Sequence, residues 1–455
     1  MTDTAMTTAV ATPAEPDGAP RLPVLDVLRG IAILGILFMN INDMGGAIAI
    51  AGGADERQLG WGTLDQIAWS LREVFANGTA RCMLEMLFGV GMVILTERAA
   101  TRIGKWRVLG AYAWRNIVLF LFGLVHVFIL LWPGDILHTY GLAALVAVLF
   151  RRWRPRWLLV AGLSMAMIQL VAGGFLVAQV KQLQAHAAAA EARRVEGKTL
   201  TAAERKDVAA WNKRLADKAK GRADAQAMVD RENRDRTGAP RQWVGSAWGS
   251  FIYIETMLLE PLFIWEAAGT MLIGAALFRL GFIAGGWRRR SYVVTTVTAY
   301  AIGLTCRAGL GAVVASGGHG PSWFFPFGEL ARVATTVGHI GVVNLLLMNP
   351  AGARLLRPFD AAGKTALSIY IAQTLICLWV LYPPWGLALY GHQGWAALML
   401  TALAVNAALL WGANIWVRHF TIAPVEWAWR SLIARRRLPF RARASSAGGA
   451  LPAMA

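Results

Sequence analysis

Runs of about twenty apolar residues recur along this chain and constrain its fold more than any other feature. An α-helix rises about 1.5 Å per residue, so a run of that length crosses the hydrocarbon core of a bilayer. The chain is 56% hydrophobic and only 16% charged, which is more apolar surface than a soluble core can bury. The sequence therefore predicts an all-α, polytopic integral membrane protein whose first partner is the lipid bilayer. We predict about ten spans, at residues 25–43, 80–97, 112–132, 135–150, 157–180, 261–284, 291–315, 326–348, 362–382 and 394–416.

The loops between the spans predict the orientation, because cytosolic loops carry an excess of Lys and Arg. On one side lie the basic clusters at 98–107, 151–156, 288–290, 354–357 and 435–443. The opposite loops at 133–135, 317–326 and 383–393 contain no Lys or Arg. Both ends are therefore predicted in the cytosol, and the net charge of +18 does not indicate nucleic acid. High Ala and Arg usage favours the cytoplasmic (inner) membrane of a bacterium, with a multi-pass topology.

Changes in composition divide the chain into five segments. Residues 181–242 are polar and predicted to form a helical extracytosolic insert, supported by the pairs Asp230–Arg234 and Glu232–Arg236 at four-residue spacing. The insert is either a solvated cap or a partner-binding element. Two amphipathic, Trp-bearing segments, 61–77 and 246–259, are predicted to lie in the interface or to re-enter. The segments are a disordered tail (1–20), a first bundle half (21–180), the insert (181–242), a second bundle half (243–434) and a basic cytosolic tail (435–455).

Ionisable side chains inside predicted spans are the main functional candidates, because a charge in a bilayer costs several kcal/mol, roughly 2.5 or more. Asp26 and Arg29 share one face of the first helix, and Asn40 returns to nearly that face. Arg81 and Glu85 stand in salt-bridging register on the second span. For the first three residues, an ion pair at the interface and a hydrogen bond between helices are the alternative to a functional role.

His126 lies in the outer half of the third span, just before a Trp-Pro-Gly-Asp hairpin that ends in Asp135 and is followed by His138 and Tyr140. A lone histidine in an apolar helix is more often a core residue with its hydrogen bonds made. Five predicted helices nevertheless place ionisable groups at this depth, which predicts a shared polar cavity that opens outward. The other members are Glu85, Glu266, Arg307, Glu329 and Arg332.

The ninth span begins with Ser368, Tyr370 and Gln373, which are either functional or hydrogen bonded between helices.

Several familiar kinds of site are not predicted. The three cysteines lack paired spacing, and no histidine pair, phosphate loop or nucleophile elbow occurs, so we predict neither a disulfide framework nor a metal site. No tightly bound cofactor is predicted.

Five stretches together resemble the YeiB-like family of bacterial membrane proteins, also described as domain of unknown function 418. They are RLPVLDVLRGIAILGILFMNI (21–41), LFGVG (87–91), FGLVHVFILLWPGDILHTYGL (122–142), GKTALSIYIAQTLI (363–376) and APVEWAWR (423–430). That family is similar in architecture to transmembrane acyltransferases, including the acyltransferase-3 group and the heparan glucosaminide acetyltransferases. The resemblance implies transfer of an acyl group, often acetyl from acetyl-CoA, to an acceptor across the membrane.

The resemblance also implies functional positions, with two departures. Acyltransferase-3 proteins carry a histidine at the end of the first helix where this chain has Asn40, which leaves His126, oriented by Asp135 or Glu85, as our candidate base. The family usually has a small polar residue where Glu85 stands. The positions implied by the resemblance are Asp26, Arg29, Asn40, Arg81, His126, Asp135, Tyr370 and Gln373.

We predict a transmembrane acyltransferase that uses acyl-CoA as co-substrate, with cytosolic arginines holding the donor phosphates. The acceptor is a small molecule, a lipid or a glycan, and a homo-oligomer is left open. The rival is a transporter or exporter of a small or lipidic solute, and the third alternative is a scaffold or sensor that works through the insert. The predicted catalytic residues are His126, Asp135, Asn40 and Glu85, and the predicted substrate-binding residues are Asp26, Arg29, Arg81, Tyr140, Arg307, Tyr370 and Gln373.

Overall fold

A computed structural model describes residues 22–50, 55–256, 259–317 and 322–440, and these residues contain helices and no β-strand. The predicted tail 1–20 and residues 441–455 of the predicted basic tail lie outside the described residues. The α-helices are α1 Pro23–Gly45, α2 Thr63–Leu71, α3 Thr79–Ile103, α4 Lys105–Phe128, α5 Leu137–Ala147, α6 Pro155–Gly162, α7 Ser164–Val195, α8 Ala202–Thr237, α9 Pro240–Thr256, α10 Leu259–Arg279, α11 Arg289–Ala315, α12 Gly328–Leu347, α13 Pro350–Lys364, α14 Ala366–Leu375, α15 Trp395–His419 and α16 Pro424–Ile433.

Eight helical segments in the described residues are long and apolar enough to cross a bilayer, as expected for a multi-pass membrane protein. They coincide with eight of the ten predicted spans. The predicted span at 362–382 falls on α13 and α14, which meet at a bend of 77° and together make a ninth candidate. In place of the predicted span at 135–150, the structure has a shorter apolar helix, Leu137–Phe150. The helix starts later than predicted because Asp135 still belongs to the hairpin that precedes it.

Helix α1 lies at the centre of the bundle and packs against α3, α13 and α15. Its Leu28 and Leu37 are fully buried. Glycines let α1 and α13 approach backbone to backbone: a Cβ atom at Gly30 would overlap the Phe359 carbonyl oxygen, and one at Gly363 would overlap the Asp26 carbonyl oxygen. Both glycines belong to the stretches that carry the family resemblance, so these stretches specify helix packing as well as polar groups.

The predicted interfacial segment 61–77 forms α2 followed by a π-helical turn, Arg72–Ala76. Its Trp69 is buried, 2% exposed, and donates a hydrogen bond to the Glu56 carboxylate instead of facing lipid. Burial raises the pKa of Glu56. Arg72 Nη2 donates to the Met39 carbonyl oxygen at 3.0 Å, which ties the turn to α1.

The predicted insert is helical, which confirms its expected secondary structure. Helix α7 continues beyond the predicted span end at residue 180, and α8 begins with a capping box between Thr201 and Glu204. The backbone and hydroxyl hydrogen bonds from Thr201 lower the pKa of Glu204. The predicted pair Glu232–Arg236 is present, with 3.2 Å between Oε1 and Nη1, and both side chains are buried.

The C-terminal part of α8 binds the end of α1 through this ion pair. Arg236 Nη1 donates to the carbonyl oxygens of Asp43 (2.9 Å) and Gly46 (3.0 Å), and Glu232 Oε2 accepts from the Ala49 backbone N–H at 3.2 Å. The Arg236 guanidinium also lies over the Trp243 ring, 4.5 Å from its centroid. We call this end of the bundle, where α1 and α4 end and α12 begins, the insert end.

Replacing Arg236 with alanine is expected to weaken the docking of α8 by about 1–3 kcal/mol, because carbonyl oxygens and Glu232 lose their donor in a buried site. Limited proteolysis of the purified protein should cut α8 faster. Arg231→Ala is the matched control, since Arg231 is on the same helix, 81% exposed, and pairs only loosely with Asp235 at 3.8 Å. Equal cleavage of both variants would contradict the docking role.

Candidate active site

The centre of the candidate site is the buried pair His126 and Asp135, whose side chains are both 0% exposed. His126 lies in the last turn of α4, and its Nδ1 is 2.7 Å from Asp135 Oδ1. An ionised carboxylate only accepts, so Nδ1 carries the proton, and in the neutral imidazole Nε2 keeps its lone pair. That lone pair faces the Thr374 hydroxyl of α14 at 2.8 Å. The site therefore holds a carboxylate, an imidazole and a hydroxyl in line.

The hairpin between α4 and α5 positions Asp135. Asp135 Oδ2 accepts from the backbone N–H of His138 at 2.9 Å, in the manner of a helix N-cap. Helix α5 begins close against α4 because Gly123 has no side chain; a Cβ atom there would overlap the His138 backbone nitrogen. Leu131, at φ 63°, makes the turn that reverses the chain. Local sequence thus fixes the carboxylate between two histidines.

His138 extends the site toward two carboxylates that the sequence analysis did not select. Its Nδ1 lies 3.0 Å from Asp135 Oδ2. Its Nε2 lies 3.6 Å from Glu255 Oε1 and 3.7 Å from Glu260 Oε2. Burial, followed by the nearby Glu260 charge, raises the pKa of Glu255. Asp135 is therefore shared by two imidazoles whose Nε2 atoms have different partners.

Tyr370, a predicted site residue, is also brought to this centre. Its ring packs edge-on against His126, with 4.8 Å between centroids. Its hydroxyl donates to Asp135 Oδ1 at 3.4 Å and accepts from the Ile136 backbone N–H at 3.3 Å. The tyrosine thus holds the carboxylate from the side opposite His138.

A second cluster, the charge network, consists of Arg81, Glu85, Glu266, Glu329 and Arg332 on helices α3, α10 and α12. Arg81 Nη2 contacts both Glu266 oxygens, at 2.5 and 2.7 Å. Arg332 lies 2.7 Å from Glu266, 2.8 Å from Glu329 and 3.3 Å from Glu85. The predicted pair Arg81–Glu85 is present at 3.6 Å, which confirms that register. Glu85 therefore belongs to this network and does not orient His126.

Tyr140 connects the two clusters. It lies on α5 two residues after His138, is 1% exposed, and donates from its hydroxyl to the Arg81 carbonyl oxygen at 3.1 Å. Its ring packs edge-on against Phe88. The structure thus brings together His126, Asp135, Tyr140, Tyr370, Arg81 and Glu85 of the predicted residues, in two adjoining groups.

Other predicted residues lie elsewhere. Asp26 and Arg29 pair at 2.8 Å in the first turns of α1, about 24–28 Å along the helix from its far end. Asn40 is partly buried, and on that helix it is Asn42 that accepts from Arg72, at 3.0 Å. The depth of a residue along its helix was therefore a better guide to whether it belongs to the site than its position on a shared face of α1.

Two more predicted residues have structural partners. Gln373 donates from Nε2 to Asn406 Oδ1 at 3.0 Å and joins α14 to α15. Arg307 donates to the carbonyl oxygens of Val74 (2.8 Å), within the π-helical turn, and Asn77 (2.6 Å), just after it. These contacts match the hydrogen bonds between helices that the sequence left as an alternative for Gln373.

Two cavities lined by arginine lie at the opposite end of the bundle, which we call the arginine end. One, of about 560 Å³, is lined by Arg151, Arg152 and Arg279. The other, of about 590 Å³, is lined by Trp114, Trp427 and the run 435–437. In the second, Arg435 lies 4.8 Å from the Trp114 ring centroid, so guanidinium groups and indole rings share one wall.

Fold and site define a multi-pass helical membrane protein with a buried histidine–aspartate pair near one end of the bundle. Residues 277–436 match the family described as protein of unknown function (DUF418). The chain is 28% identical to the uncharacterized protein YxaH of Bacillus subtilis (strain 168), over 90% of this chain and 94% of that protein. It is 26% identical to the uncharacterized protein YeiB of Escherichia coli (strain K12), over 92% and 98%. No solved structure matches the chain significantly. These findings support the resemblance to YeiB-like DUF418 proteins.

Proposed function

We propose that this protein is a transmembrane acyltransferase in which His126 is the general base. The observation that carries the proposal is the alignment of Asp135, His126 and the Thr374 hydroxyl, at 2.7 and 2.8 Å. Asp135 holds the proton on Nδ1, so Nε2 accepts a proton from a hydroxyl or amine. Thr374 supports this role because it places an alcohol within hydrogen-bonding distance of Nε2.

In the proposed reaction, the acceptor hydroxyl or amine takes the place of Thr374 as the partner of Nε2. His126 removes its proton while the acceptor oxygen or nitrogen attacks the thioester carbonyl carbon of acyl-CoA. The carbon–sulfur bond then breaks, and the CoA thiolate takes the proton from His126. Asp135 stabilises the transient imidazolium.

The donor is proposed to bind at the arginine end, in the cavity lined by Trp114, Trp427 and residues 435–437. Guanidinium groups bind phosphates by charge-assisted hydrogen bonds, and indole rings stack on an adenine base. Trp114 and His126 lie on the same helix, twelve residues or about 18 Å apart along its axis. The pantetheine arm of the donor would extend along α4 and bring the thioester toward His126.

The proposed topology has about ten spans with both ends in the cytosol of a bacterial inner membrane. The bent pair α13–α14 and the short helix Leu137–Phe150 would be its ninth and tenth spans. The arginine end would then face the donor pool, and the insert end would face the acceptor. Bacterial relatives of similar length support this location.

A transporter is the second candidate, and the charge network favours it. Five ionisable side chains on three helices, buried around Arg332, resemble the ion and proton pathways of transport proteins. In that case the same network would change its pairing as substrate moves.

The two functions are separated by reconstituting the full chain in liposomes. We expect release of free CoA thiol from acetyl-CoA when amino sugars or extracted bacterial envelope lipids are supplied as acceptors. Empty liposomes are the control. Absence of thiol release with every donor from acetyl-CoA to palmitoyl-CoA would refute acyl transfer. Flux of labelled amino sugar without acyl-CoA would favour the transporter.

A further inference from the structure

We propose that His138, Glu255 and Glu260 form a binding site for a divalent transition-metal ion, of which Zn²⁺ is the best fit. The three side chains come from the start of α5, the end of α9 and the start of α10 at the insert end. One donor atom from each lies within 4.8 Å of the other two. The proposal does not rest on acyl transfer, because metal binding is measured directly.

The distances match a shared metal ion better than direct hydrogen bonds. His138 Nε2 is 3.6 Å from Glu255 Oε1 and 3.7 Å from Glu260 Oε2, whereas N–H···O bonds span about 2.7–3.2 Å. Zinc–ligand bonds of about 2.0–2.2 Å place neighbouring ligands of a tetrahedral site about 3.3–3.6 Å apart. The two separations measured from His138 Nε2 therefore lie close to the edge length of such a site, and the third, between the glutamate oxygens, is within 4.8 Å.

The orientation of the His138 ring points in the same direction. Its Nδ1 faces Asp135 Oδ2 at 3.0 Å and donates to it, so Nε2 is the nitrogen that faces the two glutamates. A carboxylate that orients the far nitrogen of an imidazole is the usual support for a histidine metal ligand.

Carboxylate oxygens without hydrogen-bond partners indicate that the site can coordinate a further group. Glu255 Oε1 and Glu260 Oε1 are buried and have no hydrogen-bond partner among the described residues. Glu260 is 9% exposed, and its Oε2 accepts a hydrogen bond from Thr139 Oγ1 at 3.4 Å. Because buried carboxylate oxygens are costly without partners, a cation is the group that would satisfy them.

The donor set defines the ion and leaves one position open. One imidazole and two carboxylates balance the charge of a divalent ion, and such mixed nitrogen and oxygen sites suit Zn²⁺. Three protein ligands leave the fourth position of a tetrahedral site for water or substrate. Glu255 is 31% exposed at its side chain, so that position lies toward the solvent at the insert end.

Metal content tests the proposal. The full chain, stripped with a chelator in detergent and dialysed against Zn²⁺, is expected to retain about one ion per chain by elemental analysis. Co²⁺ should give the absorption bands of a four-coordinate site. His138→Ala and Glu260→Gln should abolish retention, and Asp135→Asn should lower the affinity about 10–100-fold. His186→Ala is the matched control, because His186 is 55% exposed and faces Asp207 on the insert.

Gel filtration and thermal unfolding identify variants that fail to fold. If His138→Ala does so, Glu260→Gln and a zinc-dependent rise in the unfolding temperature of the wild type still decide the question. Wild-type protein that holds no zinc above the level of Glu260→Gln would overturn the proposal and leave His138 as an imidazolium paired with carboxylates. Full retention by both ligand variants would also overturn it.

Discussion

Replacing His126 with glutamine is expected to slow acyl transfer by about 10²–10⁴-fold, the usual contribution of a general base. Glutamine keeps a polar side chain on α4 but has no nitrogen that accepts a proton at neutral pH. Its amide can still donate to Asp135 Oδ1, so the hairpin should keep its position. The measurement is the initial rate of CoA release in liposomes, with donor and acceptor both saturating.

His339→Gln is the matched control for this prediction. His339 is also a hydrogen-bonded histidine within a candidate span, but its partners are the Tyr300 hydroxyl at 2.7 Å and the Phe75 carbonyl oxygen at 2.9 Å. Neither of these partners is a carboxylate, so its replacement should leave the rate nearly unchanged. If His126→Gln retained wild-type turnover, or if the control lost as much, His126 would not be the base.

The helices were largely predictable because a membrane span is a local property of the sequence. Hydrophobic runs of the necessary length located eight spans directly. There are two exceptions: the chain bends by 77° between α13 and α14, and α5 starts only at Leu137, after a local cap in which Asp135 accepts the His138 backbone N–H. Neither the bend nor the cap changes hydropathy, so the pattern could not distinguish them from continuous spans.

The sequence predicted the depth at which the residues of the charge network lie in the bundle, but not which of them contact one another. Glu85, Glu266 and Arg332 were expected at one level of the bundle, and the structure places Arg332 3.3 Å from Glu85 and 2.7 Å from Glu266. Arg307 was expected there too, yet it binds carbonyl oxygens of the π-helical turn. Position along a helix follows from residue number, whereas the direction a side chain faces depends on which helices become neighbours.

The cluster at His138 could not be predicted, because its members lie far apart in the sequence. Glu255 and Glu260 stand more than a hundred residues after His138, across the whole insert. Glu260 lies just before the predicted span 261–284, a position where carboxylates are common. A histidine two residues before Tyr140 and three residues after Asp135 was the one local signal, and its glutamate partners became known only with the fold.

Replacing Arg332 with methionine is expected to destabilise the protein by about 3–5 kcal/mol, because it leaves buried carboxylates without their cation. Arg332 is 7% exposed and contacts Glu85, Glu266 and Glu329. With both arginines present the network carries two positive and three negative charges; without Arg332 only Arg81 opposes three carboxylates. Thermal and denaturant-induced unfolding of the purified protein in detergent measures the loss of stability.

Glu329→Gln is the matched control and Glu85→Gln the compensating change. Removing Glu329, whose side chain is 25% exposed, leaves two arginines and two glutamates, so its cost should stay below about 1 kcal/mol. The double variant Arg332→Met with Glu85→Gln should be more stable than Arg332→Met alone, because one unpaired buried carboxylate is removed. A double variant that is less stable than Arg332→Met would mean that Glu85 is stabilised by Arg81 alone, at 3.6 Å, and that the five side chains do not act as one network.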